Sequence, residues 1–157
     1  MKSIRRANLV LVADSDRALL LAERLRRMRV VGVTTVAGID EAQRLCNAGV
    51  VDACLVAREE PVVDAPPQPD LDAPGRGAGV PSLIIVQAVT PYLRKEARRA
   101  GYAAAVPAGI APRLLYRRIG AVLQRRRAAR RRHMRPSIEV ATFARAPADF
   151  AGKPTIH

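Results

Sequence analysis

Side chains able to do chemistry are few and scattered in this chain. Histidine occurs only at His133 and His157, so no Ser-His-Asp nucleophile arrangement can be assembled. Cys46 and Cys54 form no CxxC pair and lie near no histidine, which argues against a metal site or a disulfide framework. Both read as small core residues. No glycine-rich phosphate loop occurs, and no spacing forces two carboxylates into one buried site. Catalysis, a metal and a cofactor are therefore not expected.

Positive charge, by contrast, is concentrated. Arg113, Arg117, Arg118, Arg125, Arg126, Arg127, Arg130, Arg131, Arg132 and Arg135 follow one another with no acid between them. Guanidinium groups suit phosphates, which accept paired hydrogen bonds and release counterions. The whole chain carries 27 Lys and Arg against 14 Asp and Glu, a formal charge of +13, which favours anionic partners. The cluster RRRAARRRH has no aromatic to stack on bases and no helix-turn-helix around it, so sequence-specific reading of nucleic acid is not expected. No bulky apolar residues alternate with the arginines, as a membrane-lying helix would need. An acidic protein partner, nonspecific nucleic acid, a merely solvated face and, least favoured, an anionic membrane surface stay open.

The elements that position these residues follow from hydrophobic pattern. At 157 residues and 49% apolar content the chain supports one domain plus extensions. Leu9–Ala13 is a continuous apolar run, as a strand covered on both faces requires. Ser15 or Asp16 can then cap a helix with Leu21, Leu25 and Met28 on one stripe. Val30–Val36 is β-branched and ends at Gly38; Asp40 is expected to cap a helix through Ala42, Leu45 and Cys46 that stops at Gly49. Val50–Ala57 makes a third strand and Leu83–Val86 a fourth. Thr90 and Pro91 open a helix carrying Leu93 and Ala97, closed by Gly101. Ala103–Val106 is a fifth strand, and Pro112 opens a helix with Leu115, Ile119 and Val122 or Leu123 buried.

Alternating strands and helices imply right-handed crossovers and a parallel sheet with helices on both faces. One crossover helix is missing. Between Glu59 and Val80 stand Pro61, Pro66, Pro67, Pro69 and Pro74 with three glycines, which no stable helix tolerates. Residues 58–80 are expected to be an irregular, partly disordered loop.

The order of elements, with LVLVADSD, VDACLVAREEP and the stretch from VPSLIIV to GYAAAVPAGI, resembles the receiver domain of bacterial two-component response regulators over roughly residues 7–125. That resemblance implies an α/β fold, a flavodoxin-like doubly wound five-stranded parallel sheet whose third crossover helix is replaced by the Pro/Gly-rich loop. It also shows which functional positions have changed. Ala13 and Asp14 match the acid pair that holds Mg²⁺, so one ligand is gone. Counting back from Pro61 places Ala57 at the phosphoacceptor position, and a methyl group cannot attack a phosphoryl donor. Val86 or Gln87 matches the Ser/Thr that contacts the phosphoryl group, with Thr90 too far along, and Ala108 falls where the family has lysine. Asp14 alone reads as a helix-entry residue with at most weak cation binding. Glu59 and Glu60 read as solvated loop carboxylates rather than a shifted acceptor.

The implied function is a degenerate pseudo-receiver: a phosphorylation-independent signalling adaptor or regulatory protein, not an enzyme. The alternative is a nonspecific nucleic-acid-associated protein using the Arg-rich helix. By resemblance the partner-binding face holds Tyr92, Arg94, Arg98, Arg99, Tyr102, Arg113, Arg117 and Arg118, and the same surface could pair two copies if its like charges were neutralised. Arg125, Arg126, Arg127, Arg130, Arg131, Arg132 and Arg135 would serve anions or nucleic acid. The expected divisions are a receiver-like domain over 1–123, an Arg-rich helical extension over 124–135 and a flexible tail over 136–157. In the tail Ile138, Val140, Phe143 and Phe150 could dock in a groove, add to a sheet edge or cover the surface left by the missing helix. No signal peptide and no apolar run near 18 residues occurs, which makes a cytoplasmic location the expectation.

Overall fold

Five apolar runs become five short strands: β1 (Asn8–Val12), β2 (Gly32–Val36), β3 (Ala53–Ala57), β4 (Ser82–Val86) and β5 (Ala104–Pro107). The computed structural model describes residues 4–13, 16–58 and 72–134, leaving aside the side chains of Arg17 and Ala18. All pairings are parallel, in the order β2-β1-β3-β4-β5, which is the doubly wound sheet expected. Between the strands run α1 (Asp16–Arg27), α2 (Ile39–Asn47) and α3 (Pro91–Arg99), and α4 (Pro112–Met134) closes the described chain. A 3-10 turn at Ile4–Arg6 precedes β1.

Because side chains alternate across a strand, each strand feeds two cores. Leu9, Leu11, Leu55, Leu83 and Ile85 meet α1 and α4 through Ala22, Leu25, Leu115, Ile119, Val122 and Leu123. Val10, Val12, Cys54, Val56, Ile84 and Val86 meet α2 and α3 through Ala42, Cys46, Leu93 and Ala97. Burial on both faces explains why the three central strands, β1, β3 and β4, read as apolar runs, while the edge strand β2 admits Thr34 and Thr35. Leu25, Leu55, Leu83 and Leu115 are fully buried, and each contributes about 1.5–3 kcal/mol relative to exposure.

Local signals place the helix ends. The Thr90 hydroxyl accepts a hydrogen bond from the Leu93 amide at 3.1 Å, and Pro91 opens α3, as the sequence predicts. Gly49 and Gly101 take the left-handed conformation just past α2 and α3, with φ of 77° and 92°. Asp40 differs from expectation: α2 begins at Ile39 with Gly38 at its cap and no side-chain capping bond. Asp40 sits within the first turn, where its negative charge still favours the positive end of the helix dipole.

Residues 72–80, the described part of the connection from β3 to β4, form turns. Ala73 and Val80 join the core on the α2/α3 face, and Pro74 is fully buried. The Ala73 amide donates to the Ala100 carbonyl at 2.9 Å, and the Val80 amide closes the turn onto the Gly75 carbonyl at 2.9 Å. A Cβ at Gly75 would lie 2.5 Å from the Val80 carbonyl oxygen, so the turn needs glycine there. This end of the loop is therefore packed on the sheet, while residues 59–71 and the whole tail from 135 onward, with its candidate anchors Ile138, Val140, Phe143 and Phe150, lie outside the described residues.

Candidate functional site

In a doubly wound sheet the ligand crevice lies beyond the C-terminal ends of the strands, where successive crossovers leave for opposite faces. Here that point falls between β1 and β3, since α1 packs on one face and the 72–80 turn on the other. Ala13 follows β1, its amide donating to the Val36 carbonyl at 2.9 Å. Ala57 ends β3 in register with Ile85. Ala108 follows β5, its amide donating to the Val86 carbonyl at 2.7 Å. The three positions matched by resemblance to an acid, the phosphoacceptor and a lysine thus stand at the strand ends bordering the crevice, and each carries a methyl group.

Among the described residues the neighbouring positions do not compensate. Val86 is buried, Gln87 is exposed, and the Thr90 hydroxyl is engaged as the α3 cap. Among the described residues no three His, Cys, Asp or Glu come together as a metal site would need. Asp14, Glu59 and Glu60 lie outside the described residues.

On the second candidate surface, α3 exposes Tyr92, Arg94, Arg98 and Arg99, and α4 exposes Arg113, Arg117 and Arg118. Arg99 is tied to Glu96 at 3.0 Å, an exposed pair worth little by itself. Tyr102 does not join them. It is 3% exposed and packs in the α2/α3 core, because the turn after Gly101 directs the ring over the sheet beside Ala73 and Val80. Burial, opposed by the charge of Arg58, pushes its phenol up to about 12, and its hydroxyl finds no partner among the described residues. Leu114, which sequence reasoning missed, is 51% exposed in the first turn of α4. Its only sequence signal is an apolar residue outside the Leu115, Ile119, Val122 stripe.

The third candidate is the arginine cluster. Helix α4 continues unbroken past Leu123 to Met134, and every residue from Ala128 to Met134 is exposed. Arg125, Arg130, Arg131 and Arg132 reach solvent, Arg127 is half-buried, and Arg135 lies outside the described residues. Arg126 has a different task. Its guanidinium Nη1 donates to the Asp52 carbonyl at 2.6 Å and the Val51 carbonyl at 3.3 Å, clipping α4 to the turn that enters β3. The Asp52 carboxylate stands 4.0 Å away and accepts the Asn8 amide at 2.9 Å, so one residue links β1, β3 and α4. Burial and the neighbouring Arg130 pull the Arg126 pKa below its ordinary value, while Asp52 opposes them. Sequence did hold a trace of this role: Leu115, Ile119, Val122 and Arg126 share one helical stripe.

Cys46 and Cys54 are buried free thiols, in keeping with core residues. Burial raises both, Cys54 to about 12 with Cys46 adding to the effect, which leaves neither reactive near neutral pH. Among the described residues no helix is long and apolar enough to cross a membrane.

Comparison with known proteins adds the fold's identity. No family model and no curated protein matches the chain. Solved structures do. The chain is similar to a CheY-like response regulator receiver domain protein of Methanospirillum hungatei, at 16% identity and TM-score 0.55, covering 78% of this chain and 98% of that one. It is similar to the receiver domain of a sensor histidine kinase of Pseudomonas aeruginosa, described with magnesium coordinated in its active-site cleft, at 21% identity and TM-score 0.59, covering 76% and 98%. It is also similar to a protein of Burkholderia pseudomallei described as pilus assembly-related, at 15% identity and TM-score 0.63, covering 79% and 94%. The fold is that of the response-regulator receiver, with its five-stranded parallel sheet.

Proposed function

We propose that this receiver-fold chain is a pseudo-receiver: a signalling adaptor or regulatory subunit that works by binding protein partners and takes no phosphoryl group. The observation that carries the proposal is the set of methyl groups of Ala13, Ala57 and Ala108 at the strand ends. Phosphoryl transfer relies on positioning and charge stabilisation together, and these three positions supply neither nucleophile nor charge. What the fold still offers is shape. The α3–β5–α4 surface presents Tyr92 and Leu114 among Arg94, Arg98, Arg113, Arg117 and Arg118, a mixture of aromatic anchor and guanidinium that suits an acidic protein partner. A second copy would set these arginines against themselves, which makes a different, acidic chain the better fit.

Two measurements test the proposal. Incubated with a small-molecule phosphodonor and Mg²⁺, the protein keeps its intact mass, and Ala57→Asp alone does not gain covalent phosphate, because Ala108 still lacks the stabilising cation. Stable phosphate on the unaltered chain refutes the reading. In affinity purification with nuclease treatment, Tyr92→Ala with Arg98→Glu strips the protein partner; retention of the same partner places the binding face elsewhere.

A further inference from the structure

The charge-bearing end of α4 lies at the opposite pole from the strand-end crevice. All five strands run parallel from that pole, and α4 returns antiparallel to them, so its last turns emerge beneath the N-terminal strand ends. The clip between Arg126 and the Val51 and Asp52 carbonyls places that exit beside the entry to β3. Residues 124–134 then extend roughly 16 Å, at the rise of an α-helix, with no acid on them. Arg6, before β1, and Arg29, in the turn before β2, are exposed at the same pole. Two acids toward this end are engaged: Asp52 with the Asn8 amide, and Glu23 with Arg27 at 2.7 Å.

The arrangement of the arginines around the axis separates two kinds of partner. At about 100° per residue, Arg125 and Arg132 point to one side while Arg130 and Arg131 point to the other. A flat acidic protein surface meets one side of a rod. A groove walled by phosphates meets both. The major groove of B-form DNA, about 12 Å wide, admits an α-helix, whereas the A-form RNA major groove is too narrow for side chains to enter. Ala128 and Ala129 keep the middle of the rod slim, and the row of guanidinium groups, with no Phe, Tyr, Trp or Asn among residues 124–134, suits phosphates above all. The rod is also under internal strain, since Arg126 and Arg130, and Arg127 and Arg131, are spaced four apart on the helix, where like charges repel.

We infer that the α4 extension is a nonspecific binding element for double-stranded DNA, seated in the major groove, with Arg125, Arg130, Arg131 and Arg132 on both phosphate walls and Arg6 and Arg29 in support. The inference does not depend on the α3–β5–α4 face, which lies on another part of the molecule. Fluorescence anisotropy of the full chain with a short labelled DNA duplex of arbitrary sequence tests it. Four to six phosphate contacts predict a slope of log affinity against log salt of about −3.6 to −5.4, and a loss of about 10²- to 10³-fold between roughly 50 and 200 mM salt. Replacing Arg130, Arg131 and Arg132 together by alanine keeps a strong helix former at each position and reduces that slope by about 2.7. Tyr92→Ala leaves it unchanged. The inference is overturned if the duplex does not bind at the lower salt, if the triple variant keeps the slope, or if an RNA duplex or poly-glutamate binds as tightly as DNA. A thermal melt of the triple variant that matches the unaltered chain assigns a lost slope to the missing contacts rather than to unfolding.

Discussion

Truncating Arg126 should loosen the joint between the basic helix and the domain. In Arg126→Ala, the 2.6 Å charge-assisted bond to the Asp52 carbonyl is lost outright; bonds of this type are worth about 1.5–3 kcal/mol. The contact to the Val51 carbonyl, at 3.3 Å, adds less, and the Asp52 carboxylate at 4.0 Å and 44% exposure adds little. Against this, Arg126 Nε is buried without a partner among the described residues, so its removal returns part of the loss. The net expectation is about 1–2 kcal/mol, a fall of roughly 4–8 °C in Tm for a domain of this size. Urea and thermal unfolding measure it, with Arg130→Ala as the control, since that exposed residue should cost no more than about 0.5 kcal/mol. Amide exchange should quicken from Gln124 to Arg132 in Arg126→Ala alone. If the two variants lose equal stability, or exchange in this stretch does not change, the clip does not hold the helix.

Three further outcomes follow from the same geometry. Thr90→Ala removes the cap on α3 and should cost about 1 kcal/mol in urea unfolding, with Thr90→Ser recovering most of it. Gly75→Ala drives a methyl group against the Val80 carbonyl and should cost about 1–3 kcal/mol, checking by thermal melt that the 72–80 turn seals the sheet. Base should destabilise the fold: Cys54 rises from 9.0 to about 12 and Tyr102 from 10.0 to about 12, so the unfolded chain releases these protons first. Stability is full below pH 9 and is lost as pH climbs toward 12, by up to about 1.4 kcal/mol per pH unit for each group; Cys54→Ala lessens the loss that begins near pH 9 in a pH series of urea melts, the raised Cys46 keeping the rest.

Much of the architecture was legible from one chain because burial on both sheet faces leaves a local mark. Leu9–Val12, Cys54–Val56 and Leu83–Val86 are unbroken apolar runs, the pattern of a parallel strand covered on both faces. Thr90, Pro91, Gly49 and Gly101 act on their own neighbours within a few residues, so their roles as cap and stops could be read directly. The alanines at 13, 57 and 108 stood out only through the resemblance to receiver domains, Ala57 by counting back from Pro61.

What only the tertiary structure decided involves residues far apart in sequence. Tyr102 sits in a turn, where no periodicity says which way a side chain points, and only the space left over β3 and β4 draws its ring inward. Arg126 looks like one more charge in a run of arginines; its separate role exists because Val51 and Asp52, some 75 positions earlier, present two carbonyls where α4 leaves the sheet. The burial of Ala73, Pro74 and Val80 against the sheet has the same origin. Composition and spacing settle the elements, because these depend on nearest neighbours along the chain. The inward ring and the packed 72–80 turn are set by the apolar space that distant elements leave over the sheet, and the clip by the two carbonyls left open at the entry to β3.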